Sequence, residues 1–140
     1  MIIGLDHVAI AVPDIERAIE QLVNDFGLTL DSRSPAPEQQ TETAFFCVGK
    51  PKIELISPMD DDGPVKRFLE KRKGVHHISF ISDDIESDVA RLKAKGYEFL
   101  TDQPTAGAHD SRVIFIHPRC CFGVLVELSE PMLESSSANS

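Results

Sequence analysis

A word that occurs twice constrains this chain more than any other feature. Residues 6–16 read DHVAIAVPDIE and residues 76–86 read HHISFISDDIE. At an offset of 70 residues His7 falls on His77, Asp14 on Asp84, Ile15 on Ile85 and Glu16 on Glu86. The apolar positions follow, with Ile10 on Phe80, Ile19 on Val89 and Leu22 on Leu92. A second word does the same: IELISP at 53–58 and VELSEP at 126–131 align Glu54 with Glu127 and Pro58 with Pro131. Two matched words in the same order, in halves of similar length, identify a tandem duplication. The fold must therefore be one that two copies of a small unit can build together.

Each copy has the same local pattern. Residues 3–12 alternate apolar and polar side chains and are rich in β-branched residues, so they are expected to form a strand. Pro13-Asp14 turns the chain, Asp14 is a helix N-cap, and Ile15, Ala18, Ile19, Leu22 and Phe26 recur at helical spacing until Gly27. Strands are expected at 42–49 and 51–57. The second copy repeats the order: strand 76–82, cap Asp84, helix 85–95, a short strand at 97–100, then strands at 111–117 and 123–129. Residues 34–41 and 101–110 read as Pro/Gly-containing loops. Between the copies, Asp60-Asp61-Asp62-Gly63-Pro64 is a linker. Pro64 there suits the first turn of a helix over 64–73. The expected organisation is one α+β domain over 1–133, with modules at about 1–58 and 75–131, and a polar disordered tail at 134–140.

The repeat gathers chemistry as well as structure. Each module carries one His and one Glu on different strands of a sheet: His7 with Glu54, and His77 with Glu127. Both glutamates interrupt apolar strands, between Ile53 and Leu55 and between Val126 and Leu128. A carboxylate facing a core is costly unless it is paired or bound to a metal. Face-to-face modules would bring two imidazoles and two carboxylates together. That is a mixed N/O set for one divalent ion such as Co, Mn, Ni or Zn. His76, next to His77, is expected to turn to the other side of its strand.

Composition sets limits on the partners. The chain has 140 residues, 41% of them hydrophobic, with a formal net charge of −9. An acidic surface is a poor general binder of nucleic acid or anionic membrane, though it does not exclude a small anionic ligand. No segment is long enough to span a membrane, and no signal peptide is legible. Three unspaced cysteines, Cys47, Cys120 and Cys121, read as reduced thiols. A cytoplasmic location is expected, or a mitochondrial matrix if a transit peptide has been removed.

These residues carry a resemblance. The words LDHVAIAVPDIE at 5–16, PEQ at 37–39, KIELISP at 52–58, RFLEKRKGVHHISF at 67–80, DDIESDVARLKAKG at 83–96, and GAHDSRVIFIHP with FGVLVEL over 107–128 resemble the vicinal oxygen chelate superfamily (glyoxalase/bleomycin resistance/dioxygenase). Within it they are most similar to the methylmalonyl-CoA epimerases. The resemblance implies paired βαβββ modules in a glyoxalase-like fold, with sheets curled around a metal cleft, usually in a homodimer. It implies His7, Glu54, His77 and Glu127 as metal ligands. It further implies an epimerase of propionate metabolism that interconverts (2R)- and (2S)-methylmalonyl-CoA by proton abstraction alpha to the thioester, through a metal-stabilised enolate. Glu127 is then one general base. Thr43 occupies the position where some relatives carry the second base, and a threonine is a poor base. Lys66, Arg67, Lys71, Arg72, Lys73 and Arg119 are the candidates for the phosphates of an acyl-CoA. Rival readings on the same scaffold are a lactoylglutathione lyase (glyoxalase I)-like enzyme, a non-catalytic small-molecule binder and an iron-dependent dioxygenase. The complete ligand set argues against the last two.

Overall fold

The computed structural model describes residues 1–107 and 109–132. The expected tail at 134–140 lies outside the described residues. The chain forms β1 (Ile2–Ala11), α1 (Ile15–Asn24), β2 (Leu30–Ala36), β3 (Thr41–Cys47), β4 (Lys52–Pro58), α2 (Pro64–Lys71), β5 (Gly74–Ser82), α3 (Ile85–Ala94), β6 (Thr105–Gly107), β7 (Ser111–Ile116) and β8 (Leu125–Pro131). Two short 3-10 turns, Pro37–Gln39 and Pro118–Cys120, complete it. All three cysteines are free thiols. No helix among the described residues is long and apolar enough to cross a membrane.

Contacts divide the chain into two compact units. One is His7–His77, and the other joins Met1–Asp6 to the chain from Ile78 onward. In the first the strand order is β2-β3-β4-β1, and in the second β1-β5-β8-β7-β6. Strand β1 thus gives its first half to one unit and its second half to the other.

Within His7–His77, β1 pairs in parallel with β4, and β4 and β2 flank β3 antiparallel. The register sets Ala9 beside Glu54 and Glu54 beside Phe45. Alternation then sends His7, Ala9 and Ala11 to one face and Ile10 to the other. On the Ile10 face, Ile15, Ala44, Phe46 and Leu55 are buried under α1, with Ala18, Ile19 and Leu22 packed against them. On the His7 face, Ala11, Ile56 and Val65 form a second cluster, against which Phe68 and Leu69 of α2 pack. One face is therefore closed by α1. The other is closed by α2 only at the Ala11 end.

The unit from Ile78 onward repeats this. β7 and β8 pair antiparallel with Phe115 opposite Glu127. α3 covers their outer face, burying Ile85, Val89, Ile114, Ile116, Val126 and Leu128. Both module helices start as expected: Asp14 accepts from the Arg17 amide and Asp84 from the Ser87 amide, at 3.3 and 3.2 Å. These bonds satisfy amides that have no partner inside the helix.

Two expectations fail. Part of the loop at 34–41 belongs to β2, an exposed edge strand that contains Pro35. Pro is tolerated there because an edge strand leaves some amides without ladder partners. The short strand expected at 97–100 is a single bridge, Phe99 to Ile116. The edge strand of that module is β6, inside the segment read as the loop 101–110.

Candidate metal centre

Three of the four residues singled out by the repeat lie in one unit, and their donor atoms meet. His7 Nε2 is 3.1 Å from His77 Nε2 and 3.3 Å from Glu54 Oε1. His77 Nε2 is 3.7 Å from the same carboxylate oxygen. The three side chains are only 10–12% exposed. Phe45, beside Glu54 in the ladder, turns the edge of its ring to His7 at 6.0 Å between centroids. The parallel register of β1 and β4 makes the cluster possible, since it puts a His and a Glu two residues apart on neighbouring strands and on one face.

The electrostatics suit a cation. Burial, with the neighbouring charges of His7 and His76, pushes His77 down to about 3, so its imidazole is neutral at pH 7. A neutral imidazole offers a lone pair, which a metal needs. The spacing fits as well. An ion about 2.1 Å from each donor holds neighbouring donors about 3.0 Å apart at right angles, or about 3.4 Å apart in a tetrahedron. The observed 3.1, 3.3 and 3.7 Å each lie within about 0.3 Å of one of those values. The residues present therefore fit a divalent ion.

Glu127 stands on β8 in the other unit, 7% exposed, with Phe115 opposite it in the ladder. His7, His77 and Glu127 are each buried, and each offers one ligand atom of a metal-holding kind. Thr43 sits on β3 beside Ile56, two residues before Phe45 and so on the same face. Its hydroxyl donates to the Ser34 carbonyl at 3.1 Å. Glu42 turns to the opposite side, as alternation requires, and meets Arg33 at 3.2 Å.

Sequence reasoning missed one partner of the cluster. His76 does not turn wholly away: its Nδ1 lies 2.9 Å from His77 Nδ1. Burial pushes His76 below the usual histidine range. Beside α2, a pocket of about 490 Å³ is lined by Ala11, Pro13 and Pro58 with Lys66, Leu69, Glu70 and Lys73. Of the other basic candidates, Arg67 is committed to Asp62 and Arg119 to Glu98.

Residues 6–115 match the model of the glyoxalase/bleomycin resistance protein/dioxygenase superfamily. The chain belongs to that superfamily. It is 42% identical over 128 residues to the mitochondrial methylmalonyl-CoA epimerase of Homo sapiens, spanning 90% of this chain and 73% of that one. It is 39% identical over 133 residues to the ethylmalonyl-CoA/methylmalonyl-CoA epimerase of Cereibacter sphaeroides, spanning 93% and 99%. A variant of the Streptomyces coelicolor methylmalonyl-CoA epimerase in complex with 2-nitronate-propionyl-CoA superposes with a TM-score of 0.86 at 31% identity, covering 94% of this chain and 99% of that one. The fold is accordingly the α+β, glyoxalase-like one that the duplicated words imply. In this superfamily setting the His/His/Glu cluster is a group able to bind a metal ion.

Proposed function

We propose that the protein is a methylmalonyl-CoA epimerase, interconverting the (2R) and (2S) thioesters at a centre held by His7, Glu54, His77 and Glu127. One observation carries the reading: identity of about 40% to proteins of that name runs through nine tenths of the chain. The cluster of His7, Glu54 and His77 supports it chemically. The two modules, about 1–58 and 75–131, are read as duplicated copies, each giving one His and one Glu.

The reacting carbon lies between a thioester carbonyl and a carboxylate. Bound at the donor cluster, a divalent ion supplies Lewis-acid charge that offsets the negative charge developing as that carbon is deprotonated. Glu127 takes the proton as general base and, as the neutral acid, can return one. Phe45 packs its ring against the imidazole of His7. Inversion needs a proton on the opposite face as well. Thr43, at the position where some relatives carry the second base, is the candidate for that proton. Its hydroxyl is too weak an acid to act alone, so its role is to hold a water that delivers the proton. Lys66 and Lys73, which line the pocket beside α2, are the proposed partners of CoA phosphates.

The deciding experiment incubates metal-loaded protein with (2R)-methylmalonyl-CoA in deuterated water. Deuterium at C2 together with appearance of the (2S) form is expected. No wash-in would reject the reading, and turnover of the methylglyoxal–glutathione hemithioacetal instead would assign a lactoylglutathione lyase. An acyl-CoA substrate is consistent with a cytoplasmic protein, or a mitochondrial-matrix one if a transit peptide is removed. The implied homodimer is tested by light scattering, where a mass near twice 15.5 kDa is expected.

A further inference from the structure

We propose that His76 is a positioning residue that fixes the metal-facing nitrogen of His77 by accepting a hydrogen bond from the far side of its ring. The proposal rests on the metal reading above.

The two ring nitrogens of His77 face different neighbours. Nε2 looks into the cluster, 3.1 Å from His7 Nε2 and 3.7 Å from Glu54 Oε1. Nδ1 looks out of it, 2.9 Å from His76 Nδ1. A histidine that binds a metal through Nε2 must carry its proton on Nδ1, and that N–H needs an acceptor. In this unit the acceptor is the lone pair on His76 Nδ1, so His76 carries its own proton on Nε2. Metal-bound histidines usually donate to a carboxylate or a carbonyl. Here a second imidazole takes that place.

His76 is itself held. Its ring meets the Phe68 ring of α2 edge to face, with centroids 4.8 Å apart and planes at 63°. The His76 and His77 rings stand at 77° to one another. Phe68 also packs against the cluster of Ala11, Ile56 and Val65 that anchors α2. The linker helix thus reaches the metal-binding imidazole through one aromatic contact and one hydrogen bond. That gives the linker between the modules a task in the site.

The arrangement also sets proton positions before metal enters. With His77 protonated on Nδ1, the 3.1 Å contact to His7 requires His7 to donate from Nε2. Binding a metal through His7 Nε2 then requires the His7 proton to move to Nδ1, while His77 needs no rearrangement.

Two substitutions separate the hydrogen bond from the packing. His76→Asn keeps an acceptor, because the amide oxygen falls near the place of Nδ1. His76→Phe keeps a ring against Phe68 and removes the acceptor. Co2+ affinity, measured by chelator competition, is expected to fall about 10- to 100-fold in His76→Phe, the usual loss on removing such a partner. His76→Asn should recover most of it. Long-range 1H–15N correlation spectra of the metal-free wild type should show His77 protonated on Nδ1 and His7 on Nε2. Wild-type Co2+ affinity in His76→Phe overturns the positioning role, as does an Nε2-protonated His77 in the wild type. Failure of the wild type to bind Co2+, with His77 still protonated on Nδ1, overturns the metal reading instead and leaves the hydrogen bond standing.

Discussion

Helices α1 and α3 begin with the same three residues, Asp-Ile-Glu, and the same capping bond, yet they bury different chemistry. In the first module, Val12 and Ala18 join the apolar cluster around Ile15, Phe46 and Leu55. In the second, the matching positions are Ser82 and Asp88, both 0% exposed. Ser82 Oγ and Arg91 Nη1 both donate to the Asp88 carboxylate, at 2.5 and 2.6 Å. The duplicated pattern therefore specifies a helix docked on a sheet without specifying what lies beneath it. A buried carboxylate is tolerated where its oxygens are satisfied, and a small apolar pair serves elsewhere. The same distinction applies to the glutamates. Glu54 and Glu127 occupy matching places in the repeat, but proton transfer is proposed for Glu127 alone.

The sharpest way to break that symmetry is a matched pair of isosteric changes. Glu127→Gln removes the base and keeps an oxygen, so epimerisation should fall about 10²- to 10⁴-fold while the protein still loads metal. Glu54→Gln also keeps a ligand oxygen and removes no base, so the drop should stay within about tenfold. Rates from chiral analysis of the product, with metal content measured on the same samples, decide between them. Equal losses would mean that the two modules share the chemistry evenly.

The buried pair beneath α3 can be traded for that of α1. Asp88→Ala strands Arg91 and Ser82. Because Arg91 is 36% exposed, the loss of stability should sit near 2 kcal/mol, below the range for a fully buried pair. The double change Ser82→Val with Asp88→Ala reproduces the first module's Val12 and Ala18. It should regain part of that loss, since an apolar pair leaves no unpaired polar atom. Urea midpoints for the three proteins test it. A double variant no better than the single one would show that the sheet beneath α3 lacks room for valine.

Repeated words and local caps are legible in a sequence of this kind, and short exposed edges are not. His7, Glu54 and His77 were legible because a repeated word marks positions that a single copy would leave ambiguous. Asp14 and Asp84 were legible because capping is local chemistry. β2 was not: the segment LDSRSPA lies at the sheet edge with most residues exposed, so no apolar alternation marks it. β6 is three residues long, below the length at which a period can be recognised. The His76–His77 bond ran against the alternation rule. That rule describes a regular strand interior, whereas His76 stands two residues after Gly74, a glycine at φ 97° that opens β5.

Asp88 also gives its module a pH dependence that Ala18 cannot give the other. Burial alone would push its carboxyl up, but the bonds from Ser82 and Arg91 and the Met1 amine outweigh this and hold it below the usual range. A carboxyl lowered on folding contributes stability that is fully present above its unfolded value, near 3.9, and is lost as pH falls through the folded one. Asp88→Asn removes this titration. The stability difference between wild type and Asp88→Asn should therefore hold steady from pH 7 to pH 5 and shrink below about pH 4. A difference independent of pH would assign the network's worth to shape and hydrogen bonding rather than to charge.

The smallest expected effect concerns the two caps. Asp14→Ala and Asp84→Ala each remove one side-chain bond to a first-turn amide, worth about 1 kcal/mol. The bonds have nearly equal lengths, so on local chemistry alone the two losses should match. The surroundings differ, however. Asp84 is followed by acidic residues at 86 and 88, against Glu16 alone in α1, and α3 ends with Arg91 and Lys93 where α1 has no basic residue in its last turn. Charges so placed already complement the helix dipole of α3, which leaves that helix less dependent on its cap. Asp14→Ala should therefore lower the urea midpoint slightly more than Asp84→Ala, and the gap should close in high salt as the charges are screened. A gap of the opposite sign would mean that packing around Ile85 and Val89 couples the α3 cap to the core.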